Sequence, residues 1–279
     1  MNDIRMEGAG GQAKTGWAHF DLKLGSANLP GEVMLVLGMG HLDHHAVALV
    51  GRELLMQHDL ELNLPDHDIK LVQAQGCTPD QLVYWNKPYS MTRLEGDGSP
   101  TPAIRINVLL NGHVTRALLD SGAMRSIVTP DAARAAGANL ESGTKAGMIA
   151  GIGAHRSEAE VVQFDSFTVG EETIKNAKLI VADIWAHNRL EETGTRLGSR
   201  QHEVDEPRML LGADFLRSHR VLVANSLGVM VFSYMGGPVF DISQPRPAEA
   251  PTTAAPDTPA SPAAPAAPPG PKATDPTQR

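Results

Sequence analysis

Cysteine is nearly missing from this chain. Cys77 stands alone among 279 residues, which excludes an intrachain disulfide and a thiolate metal cluster. Clusters of Lys and Arg are missing too. With a formal charge of -8 and a pI near 5.7, the chain offers no surface suited to phosphates, so no nucleic-acid partner is expected. No apolar run approaches the roughly 18 residues of a membrane span, and the opening "MNDIRMEGAGGQAKTG" lacks the apolar core of a signal peptide. The expectation is a soluble chain with no membrane span. What is present is apolar material, 42% of residues, ample for one large packed domain or two smaller ones.

Composition breaks divide the chain. From Pro245 it becomes "PRPAEAPTTAAPDTPASPAAPAAPPGPKATDPTQR", a stretch with almost nothing to bury, which cannot recover its ordering entropy and reads as a disordered tail over 244–279. A turn-rich stretch from Cys77 to Pro102 carries Tyr84, Trp85 and Tyr89 and reads as a connector, over 76–100, lying against something. The flanking segments are related to each other. Leu49, Gly51, Leu55 and His58 recur as Leu210, Gly212, Leu216 and His219 at a constant spacing of 161 residues, and Glu53 faces Asp214. Each copy reads as an apolar strand, a glycine, a short helix and an alternating strand, Leu60, Leu62 and Leu64 in one and Val221 and Val223 in the other. Upstream, "KLGSANLPGEVMLVL" resembles "TVGEETIKNAKLIVA" at a spacing of 145 residues.

The second copy extends further back. Ile104, Ile106, Val108 and Leu110 alternate up to Asn111-Gly112, a strong hairpin signal. The return strand carries Val114 and ends in Ala117, Leu118 and Leu119, directly before Asp120. Thr129 can cap, and Pro130 begin, a helix through "DAARAAG" that Gly137 closes. Asp120 therefore falls where a buried hairpin turns toward a helix. A carboxylate that polarises water needs such a fixed place, where backbone N–H groups can reach its oxygens. Gly122 lets the chain turn and brings its amide close, and Ser121 offers a hydroxyl. The alternative is a solvated Asp-Ser-Gly turn, which three apolar residues before Asp120 and Ala123 after it argue against.

The order of an apolar hairpin, "ALLDSGA", a helix, "AGMIAGIGAHR", a further hairpin and "MLLGADFLRSHRVLV" resembles the retropepsin-like aspartic proteases, above all bacterial forms with two such lobes in one chain. The resemblance covers Thr101 to Asp241 fully and Glu7 to Val72 partly. It implies a mainly β fold: a complete acid-protease β-barrel lobe over 101–243 and an incomplete lobe of the same type over 1–75. It further implies an aspartic endopeptidase without metal or other cofactor, acting on a peptide or protein substrate. Asp120, Ser121 and Gly122 would be the catalytic loop. Ala123 would contact substrate, as would Gly151, Ile152 and Gly153 near the tip of a flap; the plainer reading of that flap is a glycine-rich loop. Gly212 and Asp214 are expected to be structural. Bacterial members make the periplasm or cell envelope the compartment to consider, although no residue here demands it.

That chemistry requires two aspartates sharing a proton, and the chain holds one Asp-Ser-Gly and no Asp-Thr-Gly. Three arrangements answer this: a start upstream of Met1 that carries the second aspartate, a homodimer through the second lobes, or a peptide-binding scaffold without catalysis. The first is favoured, because a flap without underlying strands leaves apolar edges bare. Two decoys are set aside. "GAGGQAKT" (8–15) has Ala13 where a phosphate loop needs glycine, and no strand precedes it. "HLDHH" (41–45) lacks a distant third ligand set for zinc. His58 and His219 are expected to serve packing or capping.

Overall fold

The computed structural model describes residues 4–8, 11–24, 27–36, 48–55, 58–96, 103–151, 155–185, 207–240 and 242. The "HLDHH" stretch and the proline-rich tail lie outside them. An antiparallel sheet of β1 (Ile4–Gly8), β2 (Gly11–Leu24) and β3 (Ala27–Val36) comes first. It is followed by α1 (Arg52–Leu55), β4 (Asp59–Asn63), β5 (Asp68–Val72), α2 (Pro79–Leu82) and β6 (Ser90–Glu95). Next come β7 (Arg105–Leu110), β8 (His113–Leu119), β9 (Ile127–Val128), α3 (Pro130–Ala135) and β10 (Thr144–Ala150). Then follow β11 (Arg156–Val169), β12 (Glu172–Val181), β13 (Met209–Leu211), α4 (Ala213–Leu216), β14 (His219–Ala224) and β15 (Val229–Tyr234).

Local signals account for the central hairpin. Asn111 and Gly112 both take left-handed backbone, with φ of 48° and 79°, the pair of positive angles that a two-residue turn needs to match the twist of its strands. Thr129 caps α3 by accepting from Ala132 N, Pro130 opens the helix, and Gly137 ends it at φ 71°. Six strands then close on themselves: β7 pairs β8, β8 pairs β13, β13 pairs β9, β9 pairs β12, β12 pairs β11, and β11 returns to β7. Ile106, Val108, Leu110, Ala117 and Leu119 fill this barrel with Phe164, Phe167, Phe215 and Phe232, all buried. Each large side chain contributes roughly 1.5–3 kcal/mol by leaving water.

The internal repeat reappears as structure. Shifted by 161 residues, α1 overlies the span of α4, β4 that of β14 and β5 that of β15. Shifted by 145, β2 and β3 have the bounds of β11 and β12. Strands β4 and β14 pair antiparallel, Leu62 opposite Val221, Glu61 opposite Leu222 and Leu60 opposite Val223. Val221 is the mate of Leu60 and Val223 that of Leu62, so the pairing is reciprocal, with a local twofold axis between Glu61 and Leu222. Leu64 departs from the expected alternation. It begins the 3-10 turn Leu64–Asp66, as Asn225 does in the second copy, because Pro65 has no N–H to give a strand ladder. The turn-rich connector supplies β6, which pairs with β15 and β7.

Candidate functional site: the Asp120 loop

Asp120 directly follows β8, half-buried, at the end of a barrel strand. Its backbone is fixed on both sides: Asp120 N donates to Leu211 O at 2.9 Å, and its carbonyl accepts from Ala123 N at 3.2 Å. The carboxylate is aimed by the loop itself, since Gly122 N donates to Asp120 Oδ1 at 2.9 Å. A Cβ on Gly122 would sit 3.1 Å from that same oxygen, tight enough to push against the carboxylate. Ser121 and Gly122 are exposed and Ala123 is half-buried.

Behind this loop lies a support that sequence reading treated only as structural. Gly212 presses so closely that a Cβ there would meet Arg125 C at 2.6 Å and Ala123 O at 2.7 Å. Ala213 N donates to Ala123 O at 2.8 Å, and Gly212 N to Ser126 Oγ at 2.9 Å. Ser126 in turn gives both its protons to Asp214, N to Oδ2 at 2.8 Å and Oγ to Oδ1 at 2.6 Å, and Phe215 N adds a third donor at 2.9 Å. Burial pushes the Asp214 carboxyl above its ordinary value, while these hydrogen bonds oppose the rise.

The strand ladder places an apolar surface beside the acid. Leu119 and Leu211 face the barrel core, so Leu118 and Leu210 face the other way. There they join Ala123, Ile127, Ala146, Ile149, Ile184 and Trp185 in a separate cluster. Ala146 and Ile149 belong to β10, whose antiparallel hairpin with β11 is the expected flap. The cluster thus brings Ala123 together with this hairpin. Gly151 is described and exposed; Ile152 and Gly153 lie outside the described residues. Contrary to expectation a strand, β1, does lead into the phosphate-loop decoy, but Lys14 and Thr15 lie within β2 and no described helix follows them directly. Among the described residues no group of three or more His, Cys, Asp or Glu could hold a metal ion, and no helix is long and apolar enough to cross a membrane.

Residues 106–215 match the family model "Aspartyl protease". That span runs from within β7 to within α4, taking in the closed ring and the Asp120 loop. Over that span the lobe is similar to the aspartyl protease family. Among solved structures, a retropepsin-like aspartic protease from Rickettsia conorii is 17% identical over 53% of this chain and 91% of that one, with a TM-score of 0.34. The EIAV protease, solved with the inhibitor HBY-793, is 20% identical over 43% and 89%, with a TM-score of 0.30. Basic 7S globulin from soybean is 9% identical over 63% of this chain and 51% of that one, with a TM-score of 0.31. No curated protein matches the chain by sequence.

The lobe that carries Asp120 is joined to the first repeat by charge. Arg220 donates through Nε and Nη2 to Glu61 Oε1, at 3.0 and 2.7 Å, across the β4–β14 seam. Tyr84 OH donates to Glu61 Oε2 at 2.7 Å, and the Arg220 guanidinium lies 4.9 Å from the Tyr84 ring centre and 4.6 Å from that of Trp85. The connector aromatics therefore cover a buried ion pair. His219 is buried as expected for packing, stacked on Phe215 with centroids 4.0 Å apart and bonded to Glu172 at 2.9 Å. His58 is exposed.

Proposed function

We propose that the chain is an aspartic endopeptidase in which Asp120 is one of two carboxylates that share a proton and activate water against a peptide bond. The supporting observation is the aimed carboxylate: Asp120 Oδ1 bound to Gly122 N, on a loop fixed to Leu211 and Gly212–Asp214, beside an apolar surface that a β hairpin borders. With the partner carboxylate present, one member is ionised and takes a proton from the attacking water. The other is protonated and gives its proton to the carbonyl oxygen as the tetrahedral intermediate forms. Ser121 and Gly122 support the acid, and Ala123 with Gly151, Ile152 and Gly153 would line an extended substrate. The apolar face around Leu118 and Leu210 suits apolar side chains.

A second reading is a peptide-binding scaffold of the same fold, favoured by the single Asp-Ser-Gly in the sequence. An acid-pH peptide-cleavage assay separates the two, run with an Asp120→Asn control and a pepstatin-type inhibitor. Cleavage that both the substitution and the inhibitor abolish supports the peptidase. Equal cleavage by wild type and Asp120→Asn removes Asp120 from the chemistry. Peptide binding without cleavage supports the scaffold.

A further inference from the structure

The first repeat carries an apolar face whose mates are core. Ile69 and Leu71 on β5 are 58% and 48% exposed, whereas Met230 and Phe232, their mates on β15, are both 0% exposed. Val50 is exposed where its mate Leu211 is buried. Scattered surface apolar residues are ordinary, but these occupy the positions that build a barrel in the second copy. A set selected in that way is half of a core.

The bare face adjoins a bare edge. Among the described residues β5 is the last strand of its sheet, so its outward N–H and C=O groups face no strand. Its mate β15 carries β6 on the corresponding edge, with Met230 opposite Thr92, Val231 opposite Met91 and Phe232 opposite Ser90. We propose that β5 is a docking edge for a polypeptide segment built like residues 90–124 of this chain, a strand and apolar hairpin ending in an Asp-Ser-Gly-type loop. The local twofold axis sets the register: an antiparallel strand with the equivalent of Thr92 opposite Ile69 and that of Ser90 opposite Leu71. The occupant's hairpin then covers the half core, and its loop brings the second carboxylate toward Asp120. That last step rests on the peptidase reading, whereas the docking does not. A second copy of the chain is poorly suited to the role, because its own β7–β8 hairpin is locked into a closed ring.

The test uses the full chain and, as probe, a synthetic peptide of residues 90–124, with amide hydrogen exchange read at β5. Exchange of β5 is expected to slow at least tenfold with the peptide. No slowing is expected in an Ile69→Asp/Leu71→Asp double variant, which retains the fold because both side chains are exposed. Acid-pH cleavage of a peptide substrate should appear with the probe and vanish when Asp120 is Asn in either component. Slowed exchange without cleavage upholds the docking and overturns the peptidase reading. Unchanged β5 exchange overturns the docking, checked again with the peptide linked flexibly to the amino end of the chain so that weak affinity cannot hide it. Protection of β5 in the chain alone, rising with concentration, makes a second copy the occupant and also overturns it.

Discussion

At the scale of single residues, Gly212 and Asp214 determine where the Asp120 loop sits. Gly212→Ala pushes a Cβ into the backbone of Arg125 and Ala123, which cannot swing aside as a side chain could. Thermal and chemical denaturation should show a loss of about 1–3 kcal/mol, and any cleavage should fall with it. Asp214 makes a sharper prediction, because it meets donors at Ser126 N, Ser126 Oγ and Phe215 N. Burial raises its pKa, so folding favours the protonated acid. Its stabilising contribution is full below the ordinary carboxylate value and is lost as pH rises through the raised value. The melting-temperature gap between wild type and Asp214→Asn should therefore shift in favour of wild type on acidification from neutral pH. A gap constant with pH would show that Asp214 does not titrate differently on folding.

At the scale of elements, the seam between β4 and β14 is held by a buried ion pair, Glu61 with Arg220, which Lys70 joins at 3.7 Å. Glu61 is fully buried and Arg220 nearly so. Arg220→Ala leaves the buried carboxylate with Lys70 Nζ at 3.7 Å and Tyr84 OH as its remaining partners, and urea denaturation should register a loss of about 3 kcal/mol or less, the lower end of the cost of breaking a buried pair. Replacing both partners by apolar residues of similar volume should cost less than the single change. Nothing local announces this pair, since its members lie 159 residues apart and Glu61 sits in an otherwise apolar alternation. By contrast, the β7–β8 hairpin, α3 and the Asp120 turn were legible, because Asn111-Gly112, Thr129-Pro130 and Gly137 act within a few residues of themselves. Leu64 was misread for a related reason: the alternation of Leu60 and Leu62 runs on into it, while Pro65 stops the ladder one residue later. The backing of the loop by Ser126 and Asp214 was beyond reach of spacing alone, as it depends on β13 running beside β8. What could be read of it was the repeat, which singled out Asp214 as the mate of Glu53.

At the scale of the whole molecule, one sequence pattern leads to two degrees of burial. Met230→Lys or Phe232→Lys places a charge in a sealed core and should prevent folding or lower stability by several kcal/mol. The matching changes Ile69→Lys and Leu71→Lys should leave the melting temperature within about 0.5 kcal/mol equivalent of wild type, a contrast that calorimetry of the four variants would check. Strand β11 adds a mechanical link. Its first residues pair with β10 in the hairpin beside Asp120, while Phe167 and Thr168 pair with β7 and close the barrel. Hairpin and wall are one unbroken ribbon. A bound peptide that held the hairpin would therefore stiffen the barrel at its far end and show itself as quieter amides around Phe167, well away from the peptide itself.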